Sequence, residues 1–216
     1  MRNLLFNQLL LPVVFDGSKT ITRRMIKPQK KITGEKIGRS SITPEGSVEI
    51  RGYHENGHYG SSFFKPRYKI GEIVYIPEPY QIVPPRFIAY KFDKTNKAEN
   101  GWQNMMFMPE EYARNFAKIT AVKAERLQEI SNEDCLKEGI YELKESREHW
   151  GIPMYLNGIT KRNIAEMFKT PQEAFAALIN KINGKGTWGR NDFVWVYEFA
   201  LCDKEGNIIE TNNLKA

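Results

Sequence analysis

Gly17-Ser18-Lys19-Thr20-Ile21-Thr22-Arg23-Arg24 follows the apolar run Val13-Val14-Phe15 and joins a turn glycine to hydroxyl, ammonium and guanidinium side chains. Gly17 adopts positive φ at no steric cost, so the chain can reverse sharply there and present the next residues to a cleft. Lys19, Thr22 and Arg24 then share a rim. Arginine offers a rigid fork for phosphate or base edges, and a lysine in a dry pocket can lose its proton and act as a base. The plainer alternative is a solvated basic surface.

Working outward, the basic character persists. Residues 19–39 hold Lys19, Arg23, Arg24, Lys27, Lys30, Lys31, Lys36 and Arg39 against Glu35 alone, within a chain of 216 residues and net charge +6. A nucleic acid or a phosphorylated small molecule is a more natural partner than a basic one. The length suits one generous domain, or one domain with a large insertion. Cys135 and Cys202 lie far apart with no paired spacing, which argues against a disulfide framework and a zinc ribbon and fits a reducing cytoplasm. His54 and His58 are four apart, but Asn56-Gly57 between them forces a turn, so no metal site is expected there. The segment Leu4 to Phe15 is interrupted by Asn7, Gln8 and Pro12, and is read as neither an export signal nor a membrane helix. No cofactor or metal is implied.

The pattern predicts a strand over 3–11, with Pro12 opening a short helix that Gly17 terminates. Between about 40 and 66 the chain turns polar, and Asn56-Gly57 between two short runs signals a hairpin, read as an insertion into the core domain. Gly71 to Glu78 reads as a short buried strand stopped by Pro77, which leaves Glu78 at its end. Further strands are expected at Arg86 to Lys91 and Ala117 to Leu127, and a helix capped by Ser131 runs to Gly139. Residues 142–169 carry no clear period and are read as a second elaboration. Thr170-Pro171-Gln172-Glu173 opens a helix whose stripe Phe175, Leu178, Ile179 and Ile182 belongs to the core. Phe193 to Phe199 is aromatic and β-branched, as a central strand should be. The fold class expected is α+β, a small mixed β-barrel decorated by helices, forming one domain over 1–216.

Four segments resemble the ASCH domain family, a branch of the PUA-like β-barrels, and in particular its longer phage and prophage members. Gly17, Lys19, Thr22 and Arg24 meet the family's Gly, Lys, Thr, Arg signature, with Lys27-Pro28 following. The Gly71 to Glu78 strand resembles the family's glycine strand ending in glutamate. Phe107-Met108-Pro109 with Arg114, and Glu125 through Ile140, resemble the central block, and Trp188, Asn191 and Trp195 resemble the close. Two departures stand out: Pro77-Glu78 where relatives read Arg-Glu, and Asn191-Asp192 where Asn-Pro is usual.

The resemblance implies a barrel cleft lined by Lys19, Thr22, Arg24 and Glu78 that recognises RNA or a modified nucleoside. Phosphates would meet Arg23, Arg24 and Lys27, with Tyr80 or Trp102 stacking on an unpaired base. It also implies a rival activity, hydrolysis of the amide of an N4-acylated cytidine, with Thr22 as nucleophile, Lys19 as its base and Glu78 orienting the lysine. The plainer alternative at this site is a Lys19 to Glu78 ion pair closing the barrel mouth. A third reading is a prophage accessory protein that mediates protein contacts only.

Overall fold

The computed structural model describes residues 1–27, 47–53, 59–83, 87–93, 101–150, 153–157 and 167–210. The N-terminal segment departs from the expected strand. Strand β1 is only Arg2–Asn3, because the Asn7 side chain accepts from the Leu9 amide and turns the chain into a 3-10 turn over Gln8–Leu10. Helix α1, Leu11–Phe15, follows with Pro12 in its first turn, and Gly17 at φ 75° closes it. The basic octapeptide then enters strand β2, Ile21–Met25.

Strands β3 (Val48–Tyr53) and β4 (Tyr59–Phe64) pair antiparallel, in keeping with the expected hairpin. His54, His58 and the Asn56-Gly57 tip lie outside the described residues. Strand β5 is Ile73–Tyr75, shorter than the run read from sequence, and ends before Pro77. Strands β6 (Tyr80–Val83) and β7 (Phe87–Tyr90) form a second hairpin, and Arg86 falls outside the described residues. The long strand β8 is Phe116–Arg126. Helix α2, Asn132–Lys137, is capped by the Ser131 hydroxyl on the Asp134 amide at 3.1 Å, as its sequence requires. The region without a clear period holds β9 (Ile140–Leu143), α3 (Lys144–Trp150) and β10 (Met154–Asn157), with β9 and β10 paired antiparallel. Helix α4, Pro171–Asn183, carries the expected capping box between Thr170 and Glu173. Helix α5 (Thr187–Arg190) and strand β11 (Phe193–Cys202) complete the order.

The main sheet runs β1-β5-β8-β11-β2, and β11 lies inside it, as its composition indicates. All pairs are antiparallel except β1 with β5, and a bulge between Glu198 and Phe199 bends β11 against β8. The result is a mixed α+β fold built on a curled half-barrel sheet with few helices. Alternation along β11 divides the core. Phe193, Trp195, Tyr197 and Phe199 pack with Leu4, Phe6, Val14 and Ile76 on one face. Val194 and Val196 pack with Ile21, Leu127, Phe175 and Leu178 on the other, beneath α2 and α4. Strand β2 ends the sheet, so its outer edge has no strand neighbour among the described residues. The candidate site lies along that edge.

Candidate functional site

Strand β2 is short and rich in cations, yet Lys19 just before it is only 2% exposed, and Thr22 and Arg23 within it 4% and 5%. A buried ammonium must have its donors satisfied. The Lys19 Nζ donates to the Ile21 carbonyl at 2.8 Å, to the Glu138 carbonyl at 2.9 Å and to the Glu138 carboxylate. Burial pulls the Lys19 amine below the ordinary lysine value, against the raising pull of Glu138. Gly139 makes this approach possible. It sits at φ 96°, where a Cβ would lie 3.1 Å from Val13 Cγ2 and 3.7 Å from Lys19 Cβ.

Arg23 turns toward α2. It donates to Glu125 at 2.6 and 3.1 Å, to Asp134 at 3.0 Å and to the second Glu138 oxygen at 3.1 Å. Burial opposes its charge, but Glu138 and Glu125 outweigh burial and push the guanidinium up. Lys123 closes the network through Glu125 and Asp134. Arg23 is therefore fully engaged by protein carboxylates and is no free phosphate ligand.

Arg24 alternates to the opposite face and meets a different environment. It donates to the Leu5 carbonyl and lies 5.5 Å from the Phe6 ring centre, and it makes no ion pair among the described residues. Burial acts against its charge, with only partial relief from Tyr68 and Glu138. A guanidinium has five N–H donors, so most of this fork is uncommitted. The Thr22 hydroxyl likewise has no hydrogen-bond partner among the described residues and is not sealed from solvent.

These groups line one pocket of about 480 Å³. Lys19, Thr22, Arg24 and Glu138 supply its polar side, Lys27 adds a cation, Arg190 is paired with Asp192 at 3.0 Å, and Phe175, Leu178, Ile179 and Ile182 of α4 form an apolar wall. The stripe that sequence assigns to the core thus has a second use, since its outer end faces the pocket. Such a cavity matches an ligand with an anionic part and an apolar or planar part.

The remaining sequence candidates fall elsewhere. Glu78 does not join Lys19. It is fully buried and accepts from Arg114 at 2.7 and 3.1 Å and from Asn115 at 2.7 Å, while Arg114 also holds Asp93. Burial pushes the Glu78 carboxyl up, against the lowering by Arg114 and Asn115. The carboxylate expected beside Lys19 is supplied instead by Glu138, at the end of α2. No local pattern in the sequence sets Glu138 apart from Glu78 as the partner of a lysine 119 positions away. Gly17 forms the turn and borders a small hollow with Lys19 and Thr20. Tyr80 is 4% exposed and packs on Tyr112 with ring centres 5.8 Å apart, so it offers no stacking face. Trp102 is half-buried in a neighbouring hollow.

Among the described residues, no group of three or more His, Cys, Asp or Glu side chains is placed to hold a metal ion. No helix among them is long and apolar enough to cross a membrane. Comparison with protein-family models, with curated proteins and with solved structures gave no match.

Proposed function

We propose that this chain binds RNA or a modified nucleoside through the pocket at the edge of β2, on a frame of the ASCH type within the PUA-like barrels. The observation that carries the reading is Arg24: a half-buried cation without a carboxylate partner among the described residues, beside a Thr22 hydroxyl that has no hydrogen bond among them, in a pocket with an apolar wall. A guanidinium drawn partly out of water with no carboxylate beside it among the described residues is costly, and an anionic ligand would supply that partner. Arg24 takes a phosphate in its free fork, Lys27 contributes charge at the rim, and the α4 wall receives a base. Lys19 and Arg23, neutralised by Glu138, Glu125 and Asp134, shape the floor. The test is binding of a cytidine-containing single-stranded RNA across a salt series. Affinity should fall linearly in log–log form with salt and should be lost in Arg24→Met. Salt-independent binding, or none, overturns the reading.

One observation favours the rival, an amidohydrolase of N4-acylated cytidine. The Thr22 hydroxyl, without a hydrogen bond among the described residues, shares the pocket with the buried Lys19, whose amine burial pulls below the ordinary lysine value. In that scheme Thr22 Oγ attacks the acyl carbon while Lys19 takes its proton and passes it to N4, so that cytidine leaves as the free amine, and water then hydrolyses the threonine ester to release the acid. Glu138 takes the orienting role assigned to Glu78 from sequence. Release of cytidine from a panel of N4-acylated cytidines, abolished in both Lys19→Ala and Thr22→Ala, would establish hydrolysis. Absence of turnover with RNA binding retained would leave the binding reading alone.

A further inference from the structure

A second hollow of about 470 Å³ adjoins the cationic pocket, and Phe6 and Asn7 line both. Its character is different. Trp102, Met105, Met106 and Pro79 give it apolar surface, and Asn7, Gln8, Gln103 and Asn104 give it carboxamides, with no ionised side chain among the described residues of its lining. Trp102 is half-buried, yet among the described residues its ring has no aromatic partner and its indole N–H no acceptor. Tryptophan in a folded interior usually satisfies that N–H. Asn7 and Asn104 use their side-chain oxygens to cap the turns at Gln8–Leu10 and Met105–Phe107, and their amide nitrogens make no hydrogen bond among the described residues.

We propose that the Trp102 hollow is a nucleobase subsite, and that the two pockets together hold a single-stranded nucleic acid segment rather than one free nucleotide. This rests on the binding reading above. A base is planar, uncharged and edged with donors and acceptors, which suits an indole face ringed by carboxamides. The neighbouring pocket carries the positive charge that such a ligand's backbone requires. Because consecutive residues Phe6 and Asn7 form the partition, the two subsites are one loop apart. Trp102 therefore stacks on a base adjoining the nucleotide whose phosphate meets Arg24. The carboxamides read the edge of that base.

The test uses the full chain, a labelled single-stranded oligoribonucleotide about eight residues long, and cytidine 5′-monophosphate as competitor. The oligoribonucleotide should bind at least about tenfold more tightly than the mononucleotide. Trp102→Ala should remove about tenfold of the oligoribonucleotide affinity while leaving the mononucleotide affinity unchanged, and Trp102→Tyr should restore most of the loss. Equal affinity of the wild-type chain for both ligands, or an oligoribonucleotide affinity untouched by Trp102→Ala, overturns the subsite and leaves the Arg24 pocket standing. Failure of the wild-type chain to bind either ligand overturns both readings together.

Discussion

Glu138 holds Lys19 with one carboxylate oxygen and Arg23, at 3.1 Å, with the other. One side chain at the end of α2 thereby gives Lys19 its carboxylate and joins Glu125 and Asp134 in holding Arg23, and it fixes the floor of the pocket. Removing one member of a buried pair leaves an uncompensated charge, at a cost of about 3–5 kcal/mol. Glu138→Gln, which keeps the shape and removes the charge, should lower the urea unfolding free energy by an amount in that range. A loss below about 1 kcal/mol would show that the lysine and arginine find their compensation elsewhere.

Gly139 sets the approach of that carboxylate. At φ 96°, with Val13 Cγ2 3.1 Å from where a Cβ would stand, Gly139→Ala is both strained and crowded. The expected destabilisation is about 1–3 kcal/mol, read as a shift of the chemical denaturation midpoint. An unshifted midpoint would mean that the loop after α2 relaxes without disturbing Lys19.

Asp134 gives the site a pH signature. Burial pushes its carboxyl up, but Arg23 and Lys123 outweigh burial and hold it below the ordinary aspartate value of 3.8. The folded value is thus lower than the unfolded one. Its contribution to stability is complete above 3.8 and is lost as pH falls through the folded value. Asp134→Asn should flatten the fall of unfolding free energy with acidification in that window. Identical slopes for the two chains would contradict the pairing with Arg23.

Much of the framework was legible because its signals are local. The Ser131 and Thr170 caps, the alternation in β8 and the aromatic run of β11 each declare themselves within a few residues. The segment 3–11 misled because its apolar residues suit a strand, whereas one Asn7 hydrogen bond to the Leu9 amide turns the chain. The octapeptide comes to line a pocket, but its partners could not be read locally. Lys19 and Glu138 are 119 positions apart, and no local pattern distinguishes Glu138 from Glu78 as the acid that reaches the lysine. Sheet order decides it: Glu78 leaves β5 toward Arg114 and Asn115, while α2 packs over the face of β2 that carries Arg23. The choice between Tyr80 and Trp102 was equally hidden, since burial of one ring and openness of the other depend on Tyr112 and on the turn at Met105–Phe107.

The central claim is that Arg24 is held for an anionic ligand, and calorimetric titration with cytidine 5′-monophosphate at low salt tests it most directly. Arg24→Met replaces a half-buried cation that has no carboxylate partner among the described residues by an apolar chain of similar length, so the fold should keep its stability. The account expects wild-type binding that weakens at least about tenfold in Arg24→Met while the melting temperature is kept. Equal affinity in the two chains, or a variant that fails to fold, would show that Arg24 serves the structure and not a ligand.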